Sequence, residues 1–73
     1  MDHEYLIVSS ITYALKAKRL LEERGIGASV EKIRHVSALG GCGYGIRVKS
    51  AFADISAGIL AANGVCVVQR DGG

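Results

Sequence analysis

The sequence predicts an α+β fold: a four-stranded antiparallel sheet with two helices on one face. Three observations lead to it. Seventy-three residues allow one domain, spanning 1–73. β-forming runs and stretches of helical period alternate in the order strand, helix, strand, strand, helix, strand. Each helical stretch closes on a glycine signal, Gly25 in the first half and Asn63-Gly64 in the second.

Glu4-Tyr5-Leu6-Ile7-Val8 is a short apolar run, expected to form a central strand buried on both faces or nearly so. Ser9 or Ser10 caps the helix that follows, because a serine hydroxyl accepts a bond from a free backbone N–H. Ile11, Ala14, Leu15, Lys18 and Leu21 fall at helical spacing and form the expected inner stripe, with the Lys18 head reaching water. Gly25 ends this helix in the left-handed conformation. Residues 28–33 read as a second strand whose charges suit a sheet edge. Arg34 to Gly41 reads as a loop. Tyr44, Ile46 and Val48 alternate with Gly45, Arg47 and Lys49, which predicts a half-buried third strand.

Ser50 is the expected cap of the second helix, with Phe52, Ile55, Ile59 and Ala62 as its inner stripe. Val65 to Gln69 reads as the last strand and residues 70–73 as a tail. Together these give the ferredoxin-like βαββαβ arrangement. Right-handed crossovers then order the sheet fourth, first, third, second, with antiparallel neighbours.

Composition narrows the function. Nine basic and seven acidic residues give a net charge of +2, too weak to argue for nucleic acid. The local cluster Lys16, Lys18 and Arg19 reads as a solvated helix face. Cys42 and Cys66 do not make a disulfide scaffold, and His3 and His35 have no ligand spacing to them, so neither metal nor cofactor is expected. Met1 to Glu4 lacks a secretory pattern, and residues 51–62 are too short and too interrupted to span a bilayer. A cytoplasmic location with reduced cysteines and no membrane association is the expectation. A core this small buries about 60% of the unfolded surface, so stability should be marginal.

Chemistry centres on Gly40-Gly41-Cys42-Gly43-Tyr44-Gly45, where one cysteine sits among four glycines. Glycine lets the backbone take positive φ and lets another molecule approach closely. A thiol there is expected to be presented rather than packed. The topology places it near Ser9, Ser10 and the first helix start, whose unpaired N–H groups favour a thiolate, the nucleophilic form. Gly40, Gly41 and Gly43 add N–H groups that can hold an anion. Arg34, His35, Ser37 and Arg47 are candidate polar neighbours; His35 reads first as a loop residue and second as a general base. The stretch lacks a P-loop ending and precedes a strand, not a helix. Cys66, between Val65 and Val67, reads as a small core hydrophobe. About two strand spacings should separate it from Cys42, too far for a disulfide. Tyr5 and Tyr44 read as packing residues on adjacent strands.

The chain resembles the small bacterial selenium/sulfur (Se/S) carrier-like domains. Matching pieces are Glu4 to Val8, Ala14-Leu15-Lys16-Ala17 with Leu20-Leu21, Gly25-Ile26, Ser37 with Gly41-Cys42-Gly43 and Ile46-Arg47-Val48, and Asn63-Gly64-Val65. The likeness covers nearly the whole chain, and its distinctive part is the Gly-Cys-Gly entry to the third strand. It implies a persulfide or selenopersulfide carried on Cys42, with sulfur or selenium donor and acceptor proteins as partners. Two departures stand out: the family often has prolines before the cysteine where this chain has none, and Gly40 lengthens the glycine run.

Three functions compete. A carrier needs a nucleophilic thiolate and stabilisation of charge on the terminal atom, but no acid–base pair. A small non-catalytic interaction or dimerisation module would instead pair through the sheet, using Tyr5, Ile7, Tyr44, Ile46 or their alternates, with Cys42 dispensable. Metal transfer is weaker, because no second cysteine lies close enough to chelate a soft metal.

Overall fold

The structure, a computed structural model, describes residues 2–72. Its elements are β1 (His3–Val8), α1 (Ile11–Glu23), β2 (Ser29–Val36), β3 (Gly41–Lys49), α2 (Ala53–Ala62) and β4 (Gln69–Gly72). Short 3-10 turns at Ser37–Leu39 and Ser50–Phe52 complete them. The strands form one antiparallel sheet in the order β2-β3-β1-β4. Counted from the other edge, this is fourth, first, third, second. β1 is thus central and β2 an edge. Among the described residues no helix is long and apolar enough to cross a membrane.

Alternation along the strands sorts residues by face. Leu6 and Val8 of β1 and Ile46 and Val48 of β3 join one core with Ala14, Ala17, Leu21, Ala53, Leu60 and Val65. Tyr44 packs against the same core from β3. Ile46 and Tyr44 therefore face the helices, which leaves Tyr5 and the alternates of Tyr44 and Ile46 on the other face of the sheet. Ile7 lies on the opposite face but is buried, paired with Gly45 on one side and Gln69 on the other. The turn after β2 closes this face at one end. There the Ala38 N–H donates to Gln69 Oε1 at 3.2 Å, linking the turn to β4.

Both helices end alike. Ile26 N–H donates to Leu21 O at 2.9 Å and Gly25 N–H to Glu22 O at 3.0 Å. Val65 N–H donates to Leu60 O at 2.8 Å and Gly64 N–H to Ala61 O at 3.3 Å. Gly25 (φ 77°) and Gly64 (φ 78°) take the left-handed turn that these bonds need. The inner faces match too. Ala14, Ala17 and Leu21 are the buried residues of α1, and Ala53, Ser56 and Leu60 those of α2, at the same spacing. The chain is thus two similarly built units, a likeness not visible in the residue types alone.

Several expectations need correction. Helical spacing predicts Ile11, Leu15, Phe52 and Ile55 on the inner stripes, but they face outward, 43%, 56%, 43% and 59% exposed. Small residues let each helix axis approach the sheet closely, so each helix docks by two small residues and one leucine, Ala14, Ala17 and Leu21 on α1 and Ala53, Ser56 and Leu60 on α2. Ser10 does cap α1, accepting from Tyr13 N–H at 3.3 Å. Ser50 does not cap α2; it opens the 3-10 turn, and the helix starts at Ala53. The 34–41 segment is not a loop throughout, because β2 runs on to Val36 and β3 starts at Gly41. The final strand is not 65–69. Val65 drops into the core, residues 65–68 form a connection, and the expected tail at 70–72 is β4. Gly73 lies outside the described residues. Arg70 fixes β4, donating from Nε to Glu4 at 2.6 Å and from Nη2 to Asp54 at 2.9 Å. Those bonds, Glu4 first, hold its guanidinium pKa above the ordinary value.

Candidate functional site

Cys42 is the second residue of β3 and is exposed. It sits on a strand, within the hairpin that β3 makes with β2. Only Gly40 in that run takes positive φ, 66°, ending the 3-10 turn with its N–H on Ser37 O at 3.3 Å. Gly41 and Gly43 are in register with Val36 and Ile33 of β2. The turn and Gly40 together reverse the chain, so the hairpin begins earlier than the apolar alternation suggests.

The glycines after the cysteine serve packing. A Cβ on Gly43 would lie 2.8 Å from Leu39 Cδ1, 3.1 Å from Val36 Cγ2 and 3.2 Å from Val8 O. One on Gly45 would lie 3.0 Å from Tyr5 Cδ1 and 3.3 Å from Ile33. These residues lie on the sheet face away from the helices. Cys42 is between Gly41 and Gly43 and points the other way, to the side of Tyr44. A Cβ on Gly41 would meet nothing within 4 Å, so that position is open.

The depression beside Cys42, about 370 Å³, is lined by Lys32, Arg34 and His35. Lys32 is in register with Tyr44 and so shares the face of Cys42, while Arg34 and His35 lie in the bulged stretch of β2 between Ile33 and Val36, where the register with β3 shifts. Among the described residues none of these three side chains has a hydrogen-bond or ion-pair partner. The other cations that the structure pairs are elsewhere: Lys18 with Glu22, Arg70 with Glu4 and Asp54, and Arg47 with His3 Nδ1 at 3.2 Å. The acid nearest in sequence, Glu31, lies on the opposite face, where it accepts from Tyr5 OH at 3.1 Å. No carboxylate lines the depression.

The expected neighbours therefore divide. Arg34 and His35 meet Cys42; Ser37 and Arg47 do not. Ser37 lines an adjoining hollow with His35, Val36, Gly40 and Gly41, and Arg47 is bonded to His3 near the far end of β3. The Val8–Tyr44 register puts Cys42 just past the end of β1, where α1 begins. Yet Ser9 and Ser10 do not line its depression, and the Ser10 hydroxyl is occupied as the helix cap. The walls come from β2 instead. Sequence reading passed over Lys32 as one more edge-strand charge. The signal was its spacing to Arg34 together with the pairing of β2 and β3.

Cys66 is exposed, not a core residue. It lies in the 65–68 connection and lines a separate groove of about 710 Å³ with Ala57, Ala61 and Val67 among its walls. Val65 takes the core position that a strand here would have shared with its alternates. Both cysteines are free, and they open into different depressions. The arrangement at Cys42 can therefore do two things. It offers an accessible sulfur nucleophile on a fixed backbone, and it gathers N–H donors that attract anions to that sulfur. No family model matches the chain, and no curated protein or solved structure matches it either.

Proposed function

We propose that this chain is a ferredoxin-like selenium/sulfur carrier-like domain that holds a persulfide or selenopersulfide on Cys42 and passes it to a partner protein in the cytoplasm. The observation that carries the reading is the exposed Cys42 thiol in a depression walled by three unpartnered nitrogen side chains, Lys32, Arg34 and His35. In loading, the Cys42 thiolate attacks the outer sulfur of a donor persulfide. The Sγ–S bond forms, the donor S–S bond breaks, and its electron pair leaves with the donor thiolate. In delivery, an acceptor thiolate attacks the terminal sulfur and Cys42 departs as thiolate. No net oxidant or reductant is consumed. Lys32 and Arg34 would offset the negative charge of the terminal atom.

The test is intact mass after incubation with polysulfide or a selenium donor. One added chalcogen atom is expected on the wild type and on Cys66→Ser, and none on Cys42→Ser. Loading that follows Cys66, or fails at both cysteines, overturns the carrier reading. A non-catalytic interaction module is the second reading, favoured by the outward apolar side chains Ile11, Leu15, Phe52 and Ile55. It requires partner binding that survives Cys42→Ser and is lost in Leu15→Glu or Ile55→Glu.

A further inference from the structure

We propose that the depression beside Cys42 is a small-anion site that selects thiosulfate, a dianion whose outer sulfur is bonded to a sulfonate group, as the sulfur donor. The proposal rests on the carrier reading and names its donor. Lys32 and Arg34 would hold the sulfonate end while the outer sulfur meets Cys42 Sγ.

Three features of the site point this way. Its walls are Lys32, Arg34, His35 and Cys42, so no apolar side chain is present to recognise an organic group on the donor. What remains to bind is charge and hydrogen-bond acceptors. Second, these nitrogen side chains are uncommitted. Among the described residues none of the three is paired, so an anion can bind without breaking an ion pair. Arg70, by contrast, would have to release Glu4 and Asp54. Third, a thiolate and a dianion repel one another, so their reaction needs positive charge at the point of encounter. The depression supplies it: Lys32 and Arg34 line it together with Cys42, Lys32 from the neighbouring strand in register with Tyr44 and Arg34 from the bulged stretch of that strand between Ile33 and Val36.

The step balances without a further reagent. The Cys42 thiolate attacks the outer sulfur of thiosulfate. The Sγ–S bond forms, the bond from that sulfur to the sulfonate breaks, and its electron pair leaves with sulfite. Cys42 keeps the outer sulfur as an anionic persulfide. Three negative charges enter and three leave, two on sulfite and one on the persulfide.

The experiment uses the full chain and two readouts. Thiosulfate is expected to add one sulfur to Cys42 and release one sulfite per protein. Lys32→Gln/Arg34→Gln should slow that loading by about tenfold, the effect of removing two exposed charge contacts. Iodoacetate and iodoacetamide give a probe independent of sulfur transfer. Their rate ratio at Cys42 should favour the anion relative to Cys66, and should fall with added salt and in the double variant. The salt series needs no variant, so it decides even if a substitution unfolds the chain. Loading from polysulfide with none from thiosulfate, or an iodoacetate ratio indifferent to salt, overturns the anion site while the carrier reading stands. No loading from either donor overturns both. Binding of a polyglutamate peptide through Lys32 and Arg34, with no preference for small anions, also overturns it and assigns the patch to an acidic protein.

Discussion

At the scale of single residues, the glycines around Cys42 have separate tasks. Gly40 turns the chain at φ 66°, while Gly43 makes room for Leu39, Val36 and the Val8 carbonyl on the far face. Gly43→Ala should therefore harm the fold more than the thiol. Leu39 can swing away, but Val36 and a backbone oxygen cannot easily follow, so overpacking of about 1–3 kcal/mol is expected. Urea unfolding checks the loss; iodoacetamide labelling of Cys42 in the remaining folded protein should be unchanged. The two thiols should also separate by reagent. Cys66 borders an apolar groove and Cys42 a cationic hollow. An apolar maleimide should label Cys66 first, whereas iodoacetate should label Cys42 first. Competitive labelling with peptide mapping reads both rates.

At the scale of elements, both helices rely on the same stop. The left-handed glycine lets the following residue, Ile26 or Val65, bond back to a buried leucine carbonyl and enter the core. Gly25→Ala and Gly64→Ala should each cost about 1 kcal/mol, since no Cβ tolerates that φ freely although neither site is crowded. Thermal unfolding followed by circular dichroism measures it. Ser10→Ala removes the cap of α1 and should cost about 0.5–1 kcal/mol, at the low end because its bond is 3.3 Å long.

At the scale of the whole molecule, a four-residue strand closes one side of the sheet. β4 has few ladder bonds of its own, and Arg70 ties it to Glu4 on β1 and to Asp54 at the start of α2. Because those bonds raise the Arg70 pKa, the charge that holds β4 is fully present at all pH values below the ordinary arginine range and is lost only in strong alkali. Arg70→Gln should loosen the edge rather than unfold the domain. Hydrogen exchange should quicken at 70–72 while the β1 and β3 amides stay protected. Equal acceleration across the sheet would show that β4 is needed for global stability.

The sequence by itself determined the α+β class, the central place of β1, the edge place of β2 and the exposure of Cys42. Those follow from local rules: Leu6-Ile7-Val8 is apolar without alternation, residues 28–33 carry charge, and glycines flank the thiol. Ser10 and Gly25 were legible because a cap or a left-handed turn is satisfied within one turn of its own helix. Tertiary structure decided the rest. Which stripe of each helix turned inward depended on how closely a helix can approach the sheet, and Ala17 and Ser56 won over Leu15 and Ile55. Where β4 began depended on Val65 being drawn to the core and on the Val68 N–H reaching Ile7 O at 2.8 Å. What surrounds Cys42 depended on how β2 pairs with β3: periodicity along one strand cannot say which residues of its neighbour stand opposite, and that pairing, with its bulge between Ile33 and Val36, brought Lys32, Arg34 and His35 to the depression beside the thiol.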